Sequence, residues 1–342
     1  MERALASATP PYVADIRSQP EALQRLLDQG INDQARQLLS RLPTFGRVIL
    51  TGMGASLYAL YPAFLELAAA GLPVWCIEAA ELLSQADGLI TPDSLLWVTS
   101  QSGRSAEIAA LLEQPRRPRA ILGVTNETVS PLAAAADAVI ELRSGAEHTV
   151  GTRSYLNSLA AHLLATAVAV QQPVPPELYQ MPRRLATYLG QWDAQLNAWD
   201  RAVTENVLFA VGRGASLAAA QTGALIVKEA AKAPMEAMSA PQFRHGPLEL
   251  ADDRTCIIVL AGAAADLAPN DRLVADLLAV GANVVRLPAP SAAGPQLPRA
   301  QADQVRPIAE IVPFQLLSVL LAERQGLEPG AFRQIGKVTT AL

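Results

Sequence analysis

The chain has 342 residues, 51% of them apolar, and carries a net charge of −5. That length and apolar content fit about two globular domains and exclude a disordered chain. The acidic balance argues against a nucleic-acid partner, because the one basic run, "RRPR" at Arg116–Arg119, reads as a solvated loop.

Residues 13–42 space their apolar positions by three and four, which predicts amphipathic helices. "RVILTGMG" is a β-branched run ending in glycines, and "SLYALYPAFLELAAAG" after it is helical. "PVWCIEA" and "AAELLSQ" follow as strand and helix, then "SLLWVTSQSG" and "SAEIAALLEQ", then "RAILGVTN" and "SPLAAAAD", with "AVIELR" a last short strand. Alternating strands and helices predict a doubly wound parallel sheet. A helical block, "TRSYLNSLAAHLLATAVAV", leads to the proline-rich joint "QQPVPPE" and more helix to about Asn206. "VLFAVGRGAS" opens a second unit, with "RTCIIVLAG" and "NVVRLPAP" as later strands. Pro288–Arg306 reads as a long loop, "IVPFQLLSVLLAERQG" as a closing helix and "AFRQIGKVTTAL" as a tail. Cys76 and Cys256 sit in apolar runs and read as core residues. With His148, His162 and His245 scattered, no zinc spacing arises, and neither metal nor cofactor is expected. No charged start precedes an apolar core and no apolar run reaches about 18 residues, so a soluble, cytoplasmic protein without a membrane partner is expected.

"LTGMGASLYAL" (Leu50–Leu60) and "AVGRGASLAAA" (Ala210–Ala220) are nearly the same turn at an offset of 160 residues. That spacing is the length of a domain and predicts two copies of one fold. At this offset Ser100, Gln101, Ser102 and Gly103 face Leu260, Ala261, Gly262 and Ala263. In an open α/β sheet ligands bind beyond the carboxyl ends of the strands, and a hydroxyl-rich turn entering a helix suits a phosphate. The first copy therefore reads as the phosphate-binding one, supported by Ser56 and by the hydroxyls of "VTNETVS". The plainer alternative is a simple helix N-cap at "SQSGRS". A dinucleotide site is a weaker option, since Leu57 stands where the third glycine of G-x-G-x-x-G belongs. The second copy carries Lys228-Glu229, where the first has Ala68-Ala69, and then His245 in "QFRHGPLEL". Alone, Glu229 would read as a solvated helix charge and His245 as a loop cap. Together they put titratable groups in one half and phosphate binding in the other.

These motifs resemble the SIS (sugar isomerase) family, in particular the isomerase half of glucosamine-6-phosphate synthase and its stand-alone relatives. "TGMGAS" is similar to the first glycine turn, "SQSGRSAE" to the phosphate loop, "VKEAAKAPMEAMSAPQFRHGP" to the lysine-glutamate and H-G-P segment, and "FRQIGKVT" to the ending. The resemblance implies two tandem SIS domains, each a parallel sheet flanked by helices in a flavodoxin-like or Rossmann-like three-layer fold. The implied boundaries are an N-terminal helical segment 1–45, a phosphate-binding domain 46–172, a helical linker 173–206, a second domain 207–324 and a tail 325–342. It further implies that Ser56, Ser100, Gln101, Ser102 and Ser105 hold the sugar phosphate and that Glu229 moves the proton between C1 and C2. His245 would reach in from the partner of a homodimer to open the ring, Lys337 would form a Schiff base, and Val150 would lie near the sugar. These types suit the chemistry: a carboxylate can serve two adjacent carbons, a lysine forms imines, and a histidine exchanges protons near neutrality.

The departures are Ile226 in place of a lysine, Gln242 for a glutamate, Arg104 for an acid and Phe332 for a proline. "EHTVGTRSY" is one residue short, so Arg153 matches either of two family positions. The chain begins "MERALASATPP" straight into the entry helix, so no glutaminase is expected to feed it ammonia. The resemblance then implies an isomerising deaminase of a hexosamine 6-phosphate. Its alternatives are a deglycase of a 6-phosphorylated fructosamine and a non-catalytic phosphosugar sensor.

Overall fold

The computed structural model describes residues 9–205, 207–334 and 336–339. Three helices open the described chain: α1 (Pro11–Arg17), α2 (Gln19–Gln29) and α3 (Asp33–Ser40). Then strands and helices alternate: β1 (Arg47–Gly52), α4 (Ala55–Ala69), β2 (Val74–Glu78), α5 (Ala79–Ser84), β3 (Ser94–Thr99), α6 (Ala106–Glu113), β4 (Ala120–Thr125), α7 (Pro131–Ala135) and β5 (Ala138–Glu141). Helices α8 (Arg153–Ala169), α9 (Met181–Leu189) and α10 (Trp192–Ala202) lead to β6 (Val207–Gly212), α11 (Ser216–Ala231), β7 (Met235–Ser239), α12 (Ala240–Phe243), β8 (Thr255–Leu260), α13 (Leu267–Ala279), β9 (Asn283–Leu287) and α14 (Arg306–Arg324).

Two sheets form, ordered β2-β1-β3-β4-β5 and β7-β6-β8-β9, and all their pairings are parallel. Side chains alternate across each sheet, so both faces of a buried strand must be apolar. Val48 and Leu50 of β1 enter the main core while Ile49 points into a second cluster with Leu82, Ile108 and Leu111 from α5 and α6. In β8, Cys256, Ile258 and Leu260 face the main core, and Ile257 and Val259 face Phe243, Leu273 and Leu277 of α12 and α13. The main core takes in both sheets and α4, α8, α11 and α14, so the two α/β units share one apolar interior. Gly223 of α11 makes this closeness possible: a Cβ there would stand 2.5 Å from the Phe314 ring on α14.

Three expectations need adjustment. β7, α12 and α13 are additional elements; α13 starts "LAPND", whose proline and polar residues hide a helix that begins just there. α14 starts at Arg306 rather than near Ile311, because Pro307 lies in its first turn, where the missing N–H has no helical partner anyway. The repeat is also not a constant offset. Val48 pairs with Leu95 and Leu208 with Cys256, so β1 and β6 differ by 160 but β3 and β8 by 161. The residues facing Ser100–Gly103 are thus Ala261–Ala264, still without hydroxyls.

Candidate active site

The chain runs from β1 to the edge strand β2 and then returns to β3 on the other side, so the strand order reverses between β1 and β3. Connections diverge there and leave a crevice at the carboxyl ends of the two strands. A cavity of about 310 Å³ occupies it, lined by Gly54 and Ser56 after β1 and by Ser100, Gln101, Ser102 and Ser105 after β3. That volume is at the small end of the roughly 300–1,000 Å³ usual for ligand sites.

The serine turn is built to leave hydroxyls facing inward. Ser100 is nearly buried, and its Oγ accepts the Gly103 N–H at 3.1 Å. Gly103 has φ +62 and a Cβ there would fall 2.3 Å from Ser130 Oγ, so the turn needs a glycine. Ser105 is the N-cap residue of α6, yet its side chain makes no capping bond. The plain N-cap reading therefore fails for Ser105, whose hydroxyl lines the cavity. Free N–H groups at the starts of α4 and α6 add the positive end of a helix dipole on each side. The hydroxyls of "VTNETVS" do something else. Thr125 Oγ1 donates to the Gln101 carbonyl, Ser130 caps α7, and Asn126 Oδ1 accepts two bonds from Ser144. They support the serine turn from behind and do not line the cavity. The buried, neutral His162 lies against Thr99, Nε2 to Oγ1 at 3.2 Å, and burial drives its pKa down to about 3.

On the opposite wall α11 brings Ile226 and Glu229 one turn apart. No described residue donates a hydrogen bond to the Glu229 carboxylate, which faces the cavity free. Burial raises its pKa above the ordinary glutamate value, against the pull of Lys337 and Lys232. Lys337 and Val338 of the tail close the cavity, and Val150 lines it while itself buried.

Lys337 Nζ is 3.0 Å from Glu147 Oε2 and also donates to the Thr149 carbonyl. Glu147, unnoticed in the sequence, has a fully buried side chain. Its Oε1 accepts the N–H groups of Thr152 and Arg153 at 2.9 Å each and the Thr152 hydroxyl at 3.1 Å, and its Oε2 accepts Ser154 Oγ at 2.6 Å. Burial alone would raise this carboxyl, but Lys337 and these donors hold it below the ordinary range. The available signal was its place six residues before the start of α8, where an acid meets unpaired N–H groups. Arg153, beside it, is bound to Asp15 of α1 at 2.7 Å, so it holds the entry helix and does not line the cavity.

The structure thus brings together Ser56, Ser100, Gln101, Ser102, Ser105, Val150, Glu229 and Lys337. His245 stands apart, exposed on the turn after α12 and absent from the cavity wall of its own chain.

A sequence profile of the SIS domain matches residues 45–171 and 204–285, each beginning just before a sheet's first strand. The chain belongs to the SIS domain family. A glutamine–fructose-6-phosphate aminotransferase of Pyrococcus horikoshii is 27% identical over 95% of this chain and 57% of its own length. The chain therefore spans little more than half of that curated relative. Among solved structures, the C-terminal domain of a glucosamine-fructose-6-phosphate aminotransferase from Francisella tularensis aligns with a TM-score of 0.82 at 20% identity, covering 96% of this chain and 100% of that one. A glucosamine-6-phosphate deaminase from Thermotoga maritima aligns at 0.76 and 18%, covering 96% and 99%. At such identities these structures show a shared fold. Within this SIS chain two departures from the family pattern, Ile226 and Phe332, line the cavity, so they alter its wall directly. Gln242 and Arg104 are exposed and lie away from it.

Proposed function

We propose that this SIS chain is an enzyme of amino-sugar 6-phosphates, acting by 1,2-proton transfer coupled to loss of the 2-amino group. One observation carries the reading: an unpaired, pKa-raised carboxylate, Glu229, shares a small cavity with the hydroxyls of a helix-capped serine turn and with Lys337. The two profile-matched segments are then two SIS domains, 46–172 and 207–324, joined by the linker 173–206 and preceded and followed by the segments 1–45 and 325–342.

The serine hydroxyls and the N-termini of α4 and α6 take the phosphate, which fixes the open chain against α11. Glu229 removes the C2 proton of the aldehyde to give a 1,2-enaminol and returns the proton to C1. The resulting C2 imine adds water and expels ammonia, so glucosamine 6-phosphate and water become fructose 6-phosphate and ammonia. Lys337, once it has left Glu147 and given up a proton, adds to the C2 carbonyl of the ketose and forms an imine with loss of water, which hydrolysis reverses. His245, exposed on its own chain, serves ring opening from a second copy in a homodimer.

Ammonia release from purified protein with glucosamine 6-phosphate, and with galactosamine 6-phosphate in parallel, tests this. Release with either epimer supports deamination and names the sugar. Silence with both, alongside measurable phosphosugar binding, overturns it.

A further inference from the structure

A cavity of about 580 Å³ lies between α9 and the segment 288–305. It shares no lining residue with the cavity that holds Glu229. Arg183 and Arg184 of α9 line it together with Arg299, and no described acidic side chain does. Elsewhere arginines find acids: Arg244 pairs with Asp276 at 2.6 Å and Arg324 with Asp200 at 2.8 Å. Here only Arg184 does, with Glu177. The side chains of Arg183 and Arg299 bond to no described residue, in a chain whose net charge is −5.

The frame around these two arginines is tied together. Besides pairing with Glu177, Arg184 donates to Gln180 Oε1 at 2.7 Å and to the Arg299 carbonyl at 2.8 Å. Glu177 in turn accepts the Gln301 and Ala302 N–H groups at 2.9 and 2.7 Å. One ion pair thus joins the short 3-10 helix Pro176–Gln180, α9 and the segment that carries Arg299. That segment, 288–305, runs from β9 to α14 with no helix or strand of its own. Loops beyond about 12–15 residues are uncommon in compact domains unless they serve a function.

A single solvated arginine needs no ligand. Two unpaired guanidiniums at one cavity, with no acid between them, repel each other, and a dianion would remove that repulsion. Guanidinium N–H groups also match phosphate oxygens in pairs. Apolar surface completes the cavity: Tyr179 is 54% exposed, and Leu297 and Pro298 line the same space. An accessible aromatic ring offers a stacking face to another flat ring.

We propose that this cavity is a second ligand site, for a phosphate monoester of a flat unsaturated ring. The phosphate lies between Arg183 and Arg299, and the ring lies on Tyr179. The site is separate from the crevice of the serine turn and does not depend on the function proposed above.

The test titrates phenyl phosphate into the protein by calorimetry, with benzoate and inorganic phosphate as comparisons. Phenyl phosphate is expected to bind about tenfold or more tightly than benzoate, which has one charge fewer. It should also bind about threefold or more tightly than inorganic phosphate, which has no ring. Arg183→Ala with Arg299→Ala should weaken this binding about tenfold or more, and Tyr179→Ala about threefold. Thermal melts that match wild type show that the variants fold, as expected for side chains without partners. Absence of binding, equal affinity for benzoate, or an affinity untouched by the arginine substitutions overturns the site. In the last case, loss of binding in Ser100→Ala with Ser102→Ala assigns the probe to the serine turn. Inorganic phosphate binding as tightly as phenyl phosphate, unaffected by Tyr179→Ala, overturns the ring. The ammonia assay decides the function proposed above separately.

Discussion

Glu229 and Glu147 are both buried carboxyls, and their surroundings push them in opposite directions. Glu229 lacks donors among the described residues, and burial raises it above the ordinary glutamate value; Glu147 has donors from the first turn of α8 and a lysine, and lies below it. Only the first is suited to gain and lose a proton. Glu229→Gln is expected to lower turnover of the amino-sugar phosphate by about 10²–10⁴-fold while phosphosugar binding persists. Because the base must be ionised and its pKa is raised, the acid limb of kcat/KM should lie above the ordinary glutamate range; a limb at or below that range contradicts the assignment. Glu147→Gln removes the anchor of Lys337. Its depressed pKa means that this anchoring stabilises the fold above the unfolded-state value and is lost as pH falls through the folded one. With Lys337 still partly in contact with water, the expected loss at neutral pH is about 1–3 kcal/mol. Denaturant melts and faster proteolysis of the tail would register it.

At the level of elements, the site is a meeting of three segments that are far apart in the chain. The serine turn comes after β3, Glu229, the proposed base, is near the end of α11, and the tail crosses between them. Beside the site the tail is tied down by Lys337 on Glu147 and by the Ala106 N–H donating to the Thr339 carbonyl at 3.0 Å. That second bond lies at the start of α6, beside the serine turn, so turn and tail support each other. Gly103→Ala should disturb this arrangement, since a Cβ at φ +62 is strained and also strikes Ser130 Oγ. The expected cost is about 1–3 kcal/mol of stability together with weaker binding of any sugar phosphate. An unchanged phosphosugar affinity would show that the turn does not hold the phosphate.

Across the whole molecule the second α/β unit shows what became of the equivalent crevice. There Ser216, the counterpart of Ser56, donates its hydroxyl to the buried Glu310 of α14 at 2.9 Å, and Arg213 is turned aside to Asn270. Burial pushes Glu310 up to about 7, with Ser216 and Arg306 pulling down and Asp303 and Asp266 adding to the rise. A carboxyl raised in the fold binds more protons there than when unfolded. Its stabilising effect is full below the unfolded value and declines as pH climbs toward about 7. Glu310→Gln, which can still accept from Ser216, should flatten that decline. Relative to wild type it should gain on the order of 3 kcal/mol above neutrality. Parallel pH dependences in thermal melts of the two proteins would refute this.

How much was legible follows from what kind of information each feature needs. The β-branched runs of β1, β3, β4 and β8, and the glycine turns after β1 and β6, announce themselves because strand burial and tight turns constrain local residue types. Short β7, and α13 with its proline-containing start, carry no such local mark. The serine turn, Glu229 and Lys337 could be picked out as chemistry-bearing residues, and the unequal halves set the expectation that the first takes a phosphate. Other features depended on three-dimensional proximity. Glu147 became visible only when the tail reached α8, a pairing across 190 positions. The hydroxyls of "VTNETVS" turned out to brace the site because their partners lie in neighbouring loops. By itself the sequence determined the parallel α/β architecture and the residue types on which the proposed reaction rests. Which side chains share one cavity, and which carboxylate there is free, was decided by the tertiary structure alone, because desolvation and charge act through space and not along the chain.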